Sequence, residues 1–464
     1  MIRIYFDTNI FSNLESDSFA TFHELNRLLL LYKHNLSFFF SPAHIRDKRK
    51  ADDRKLDYFR FMETIVSDNH ISYHAIKKNT THYLATPLMV YEDDSPDSDM
   101  LALFGFDDDN ISNALKETLI HTPLPFDINQ LKEVPEDFKE LYTKMFPLDI
   151  PEPNMFDFLK SQLSFSSEMT DKSSVYSETR KFIAQHNSIL QLDEVNEDFN
   201  KAFESSYFKK NFIDYVKTSL HHTDKSQITF YELYNHSYTL LDMFGIMKDK
   251  LKSKNGFGNI LNDGLHSYYA SYCDYLVTED KGLREKSKAL YSLYNIPTTI
   301  VSPNEFIELL PSIGADTEND IQHFISKLAK DFNEGMRSQP KTAIDGTISC
   351  EIDISKRYFN FFDGMECFTL LSGETYIILG KKESSDISPA NFRETEKLVN
   401  KLVAFWGQDI IGLGLFMFDN EVEQIRNNEW TGRLWSVDSD LFYLHKNIGH
   451  ERLCLQIGPI KSST

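Results

Sequence analysis

The sequence predicts an α/β protein: a parallel sheet flanked by helices, interrupted by a large helical insertion and followed by an α+β C-terminal domain. Three observations lead there. β-branched and aromatic runs alternate with amphipathic segments over residues 1–70 and again over 250–310, the rhythm of strands crossed over by helices. Residues 71 to about 249 lack strong β signals and show helical patterns separated by Pro- and Asp-rich loops. Beyond a helical linker at 311–340, short strands crowd into residues 341–464 in the manner of an antiparallel sheet. A chain of 464 residues has room for more than one such unit.

The first strand is "IRIYF" (2–6), followed by a helix over about 17–33, a strand at 37–40 and a helix over 42–65. Ser41 suits an N-cap and Pro42 the first helical position. The rhythm resumes with a helix at about 262–273, the strand "DYLVT", a helix from about 282, the strand "TTIVS" and a helix opened by Ser302-Pro303. A polar helix (318–336) then leads to "GTISCEIDI", "YFNFFD", "CFTLL" and "TYIILG". A helix at 390–406 precedes "GLGLFMF", "RLWSV", "DLFYLH" and "RLCLQIG".

With 41% hydrophobic residues the chain can fill substantial cores. It shows no leader-like segment and no apolar run of membrane-spanning length, so a soluble, cytoplasmic protein is expected. Its four cysteines, Cys273, Cys350, Cys367 and Cys454, form no CxxC pair; three lie in the last third, where a disulfide is conceivable, but free thiols are the expectation in a reducing cytoplasm. The formal charge of −21 argues against indiscriminate nucleic-acid binding but not against a local basic groove.

Open parallel sheets bind ligands beyond the carboxyl ends of their strands. Asp7 ends the first strand, and Asp280 lies two residues past "DYLVT". Asp47 and Asp263 fall in early turns of helices beside such strands, so four carboxylates are expected to converge on one edge. A cap of the following helix is the plain alternative for Asp7, and an N-cap for Asp263. A set of four repels itself unless cations neutralise it, and an oxygen-only site of this kind suits Mg²⁺ or Mn²⁺. Such ions generate hydroxide and stabilise both oxygens of a phosphodiester displacement.

At these residues the chain resembles the PIN domain family of metal-dependent nucleases. "IYFDTNIF" is similar to the family's opening strand, and "FSPAHIRD" to its second strand and acid-bearing helix. "NDGLHSYYASYCDYLVTEDKGL" resembles the third block, and "TTIVSPNEFIELL" the closing strand and helix. The resemblance covers the 1–70 and 250–310 segments. It implies that Asp7, Asp47, Asp263 and Asp280 ligate metal or orient water, with Asn9 and Thr278 as supporting hydrogen-bonders. It also implies phosphodiester hydrolysis, by family habit of RNA rather than DNA, in defence, stress response or RNA processing. The second acid is often Glu in the family, and the long insertion is atypical. Asp274 starts its strand and reads as structural.

His44 stands three residues before Asp47 and His266 three after Asp263, which places each pair on one helix face. The histidines read as supports behind the acids or as buried helix residues. Basic stretches flank three of the acids: Arg46, Lys48 and Arg49 around Asp47, Lys252 and Lys254 before Asp263, Lys281 and Arg284 after Asp280. They suit phosphate contacts, though charged helix faces are usually only solvated. Gly256 and Gly258 are expected to leave the approach to Asp263 flexible. Trp406, Trp430 and Trp435 either stack bases or pack a core. A regulatory protein partner would meet the insertion or the C-terminal domain.

Two other readings compete. A phosphatase of the haloacid dehalogenase type needs a second Asp where Asn9 stands. A non-catalytic module would use the sheet only to bind nucleic acid or protein. The acids concentrated in residues 91–140 are expected to mask the basic flanks. Deleting that stretch should raise affinity for single-stranded RNA in a fluorescence-anisotropy titration; unchanged or weaker binding would remove the masking idea.

Overall fold

The structure, a computed structural model, describes residues 1–17, 19–49, 54–93, 119–124, 126, 128, 138–186, 199–205, 208–220, 225–244, 246, 256–381, 389–437, 440–446 and 453–460. β1 (Ile2–Phe6) leads directly into α1 (Thr8–Ser16), which Asp17 ends at φ +46° before α2 (Ala20–Tyr32). The helix expected over 17–33 is α2, and α1 is an additional helix before it that starts straight after Asp7. β2 (Leu36–Phe39) is followed by α3 (Pro42–Arg49) and α4 (Lys55–Val66), two helices where one was expected over 42–65.

The insertion is not wholly helical. It opens with an antiparallel hairpin of β3 (Asn69–His74) and β4 (Asn79–Leu84), whose β-branched and aromatic residues are thinly spread among polar ones. Its principal described helices are α5 (Met155–Asp171), α6 (Ser173–His186) and α7 (Phe230–Met243). The rhythm then resumes as expected: α8 (Phe257–Ala270), β5 (Tyr275–Val277), α9 (Lys281–Tyr294), β6 (Thr299–Val301) and α10 (Pro303–Gly314). Ser302 and Glu305 form a capping box at the start of α10. The sheet runs β2-β1-β5-β6, with every pairing parallel.

The two-residue period of β1 sorts its side chains between two cores. Ile2, Ile4 and Phe6 face α1, α2, α4 and Phe306 of α10. Tyr5 faces the other way, into a cluster built from α7, α8 and α9. The insertion, through α7, thus shares with α8 and α9 the cover of one face of the sheet. Its contact with α8 is close: a Cβ on Gly256 would stand 2.1 Å from the Thr170 carbonyl oxygen, and one on Gly258 2.9 Å from the Thr170 methyl. These glycines permit tight docking of α8 on the end of α5, not the flexible approach expected of them.

α11 (Ile321–Glu334) leads to a seven-stranded antiparallel sheet. Its strands are β7 (Lys341–Thr342), β8 (Ile348–Ile352), β9 (Gly364–Thr369), β10 (Thr375–Gly380), β11 (Arg433–Val437), β12 (Asp440–Lys446) and β13 (Leu453–Ile460). Their order is β11-β12-β13-β10-β9-β8-β7, and α12 (Pro389–Trp406) and α13 (Phe418–Arg426) join them. Two expected strands are absent from this sheet. "YFNFFD" turns at Phe359 and Asn360, both at positive φ, and buries its aromatics. "GLGLFMF" is a loop and helix start, because the Asp409 carboxylate gathers the backbone N–H groups of Ile411, Leu413 and Gly414. Fully buried Arg433 ties Asp409 to Glu421 and to the Gly414 carbonyl. Trp406 stacks on Phe442 and meets Trp435, while Trp430 donates to Glu421, so the tryptophans serve the core.

The two sheets meet through a buried ion cluster. Glu394 of α12 accepts from Arg3 at 2.8 Å and from Lys381 at 2.8 Å, with the Met1 amino group 3.4 Å away. Beside it, a cavity of about 570 Å³ lies between the amino ends of β1, β5 and β6 and the residues Arg357, Asp363 and Lys381. Among the described residues, no helix is long and apolar enough to cross a membrane. Burial alone would raise the Glu394 pKa, but its cations outweigh burial and hold it well below the ordinary carboxylate value. That stabilisation is complete above the unfolded pKa, about 4.3, and disappears as pH falls through the depressed folded value. Glu394→Ala should cost about 3–5 kcal/mol in urea denaturation at neutral pH. The loss should shrink at the acid end of the native range, and a pH-independent loss would contradict this account.

Candidate functional site

Parallel pairing of β1 with β5 sets Phe6 opposite Val277, and the Asp7 N–H continues the ladder to the Val277 carbonyl. Asp7 and Thr278 are consequently neighbours at the carboxyl edge. The Thr278 hydroxyl donates to Asp7 Oδ2 at 3.1 Å and accepts the Asp280 N–H at 3.0 Å. Asn9 makes a longer contact to the same carboxylate oxygen, 3.4 Å. Asp7 occupies the N-cap position of α1 but makes no side-chain cap bond, which removes the plain structural reading. It is only 4% exposed.

α8 begins five residues earlier than expected, so Asp263 is not an N-cap but lies one turn and more inside the helix. Its carboxylate forms no hydrogen bond or ion pair among the described residues. Asp280, more exposed, caps α9 by accepting from Leu283 N at 2.9 Å, which leaves its second oxygen free of that bond. Burial and the repulsion of Asp47 and Asp280 raise the Asp7 pKa, against the opposing pull of His266 and Thr278. Burial and the charges of Asp7 and Asp280 push Asp263 well above the ordinary range, with Lys286 opposing. The four acids therefore sense one another at a single edge.

Asp47 differs from the other three. Its Oδ2 accepts from Thr8 at 2.6 Å and pairs with His266 Nε2 at 2.9 Å, while Oδ1 accepts from Asn262 at 2.5 Å. These donors outweigh its desolvation and lower its pKa. Burial disfavours an imidazolium at His266, yet the bond to Asp47 and the nearby carboxylates raise its pKa overall. From its other nitrogen a chain runs to Tyr5 at 2.9 Å and on to Ser41 at 2.6 Å. The Ser41 hydroxyl thus serves Tyr5. His44 is the second buried histidine: its Nε2–H donates to the Phe6 carbonyl at 2.7 Å and its Nδ1 accepts the Ser41 N–H at 3.1 Å.

Tyr5, Thr8, Ser41 and Asn262 carry this network and were not singled out for it from sequence; polar residues in an apolar strand and beside two acids were the available signal. Lys286 is a further addition. It is 1% exposed, pairs with Asp242 at 2.9 Å, and Asp242 also accepts from Tyr176 at 2.6 Å. It stands five residues beyond the exposed Lys281, about 140° further round α9 at 3.6 residues per turn, which places it on the inward face.

Among the expected phosphate contacts, Arg46 is exposed, Lys48 donates to Ser12 at 2.9 Å over the Tyr58 ring, and Lys281 pairs with Glu285 at 3.5 Å. Arg49 and Arg284 are partly buried. Lys252, Lys254 and most of the acidic 91–140 stretch lie outside the described residues. Asp274 is structural as expected, accepting the Arg3 N–H at 2.7 Å and meeting Arg357.

The donor chemistry fits a hard divalent cation. Three mutually repelling carboxylates retain free oxygens, and the buried Asn262 Oδ1 lacks a hydrogen-bond partner. Among the described residues, no group of three or more His, Cys, Asp or Glu is arranged so that it could hold a metal ion as it stands. Compared with protein-family models, curated proteins and solved structures, the chain matches none.

Burial, aided by the charge of His266, lowers the His44 pKa to about 3. The folded protein should keep this ring neutral from pH 8 to about pH 4, visible as unchanging imidazole nitrogen shifts in NMR. The unfolded chain protonates near pH 6.5, so His44 should make stability fall as pH drops from there towards its folded value. A His44 signal titrating near neutrality would refute the buried geometry.

Proposed function

We propose that the chain is a PIN-type, divalent-metal-dependent nuclease, acting as an endoribonuclease. The observation that carries the reading is the set of three under-neutralised carboxylates, Asp7, Asp263 and Asp280, at the carboxyl edge of a parallel sheet. Asp7, Asp263 and Asp280 would hold Mg²⁺ or Mn²⁺, with Asp47 orienting through bound water. When bound, the ion supplies an activated hydroxide and neutralises charge on the phosphate oxygens.

The chain's own residues do the positioning. Thr278 fixes one oxygen of Asp7 and the turn that presents Asp280. His266, Thr8 and Asn262 hold Asp47 in one orientation, as outer partners of metal-bound groups do. Arg46, Arg49 and Arg284 offer positive charge along the flanking helices, which a phosphate backbone requires. RNA is the preferred substrate by resemblance alone.

The test is cleavage of labelled single-stranded RNA and DNA with Mn²⁺, Mg²⁺ or EDTA. Asp7→Asn should lose more than the roughly 10–100-fold expected for an outer partner, and His266→Gln should fall within that window. Folded protein that binds RNA but leaves it intact under every metal condition would overturn the nuclease reading in favour of a binding module.

A further inference from the structure

β8 and β9 place two of the four cysteines directly opposite one another: Cys350 pairs in register with Cys367. Facing residues of an antiparallel pair have Cα atoms about 4.5–5.5 Å apart and project to the same side. That separation lies inside the roughly 4.4–6.8 Å range that disulfides span. Both thiols are free. Cys367 is buried, whereas Cys350 is partly exposed near the sheet edge, with Arg337 Nη1 3.9 Å from its sulfur.

We propose that Cys350 and Cys367 are a reversible thiol pair that takes a glutathione-class small disulfide as its oxidant. Cys350, the accessible sulfur, gives its proton to solvent and attacks one sulfur of the small disulfide. That S–S bond breaks, and the first small thiol leaves carrying a proton. Cys367 then loses its proton and attacks the Cys350 sulfur, expelling the second small thiol. Two protein thiols become one disulfide while one small disulfide becomes two thiols, so no electron or proton is left over. Burial raises the Cys367 pKa, but its attack is intramolecular, and the fixed register supplies a high effective concentration. Excess small thiol reverses both steps.

The bridge would close the loop between Cys350 and Cys367. That loop carries Tyr358, Phe359, Phe361 and Phe362 into the core. Its other contacts fasten it to the first sheet and to the linker after α10: Arg357 meets Asp274 at 3.4 Å, the Phe359 N–H donates to Glu318 at 2.7 Å, and Asn360 donates to the Ala315 carbonyl at 2.8 Å. Oxidation therefore constrains the unfolded chain at the segment that seats the C-terminal sheet on β5.

The test treats the full chain with oxidised glutathione and reads intact mass, a non-reducing peptide map and the thermal unfolding profile. The expected result is the loss of two hydrogens, a cross-link between the peptides holding Cys350 and Cys367, and a higher unfolding temperature, all reversed by excess dithiothreitol. Cys350→Ser and Cys367→Ser should each abolish the link, and Cys273→Ser and Cys454→Ser should preserve it. A stable glutathione adduct on Cys350 beside a free Cys367, a link through another cysteine, or no reaction would overturn the pair. A correct link with an unchanged unfolding profile would overturn the fastening of the loop.

Discussion

The pairing of β1 with β5 joins backbone separated by some 270 positions of chain, and every feature of the carboxylate edge depends on it. Closing so long a loop costs entropy that grows only slowly with length, so the size of the insertion is not itself prohibitive. What must be supplied is burial on both faces of a sheet whose strands are three to five residues long. One face is met by helices that immediately neighbour the strands in sequence. The Tyr5 face is met by α8 and α9 together with insertion helices, which places interrupted sequence in the structural support of the edge.

Charge is unevenly distributed over that edge. Asp47 is matched by an imidazole, a hydroxyl and an amide, and behaves as a settled anion. Asp7 and Asp263 are held where ionisation is disfavoured, and the charge of Asp7 adds to the burden on Asp263. Behind them Lys286 faces Asp242, so the positive charge that opposes the Asp263 shift is itself partly engaged by the insertion. An arrangement of this kind stores unfavourable electrostatics at one place, which a structural role alone does not require.

The strands of the first sheet, their parallel sense and the strand-end positions of Asp7 and Asp280 were legible because each rests on local signals: apolar runs and turn residues. Helix boundaries around Asp17 and Phe257 were not, since an αL turn and a glycine docked on Thr170 are settled by neighbours rather than by propensity. The hairpin of β3 and β4 has too few apolar residues to announce itself. "GLGLFMF" reads as a strand by composition, but a buried carboxylate holds its backbone in a loop. The difference between Asp47 and the other acids was likewise hidden, because its partners come from three separate segments.

The contact of Gly256 with Thr170 bears on how such a chain tolerates change in length. An inserted cassette that merely hangs from a loop can be trimmed, swapped or lost over evolutionary time with the host left intact. Here the first turn of α8 leans on the end of α5, and the helix that leans carries the third acid. Excision down to a minimal core would therefore remove a bearing surface. The interruption and the sheet have to be inherited as one piece.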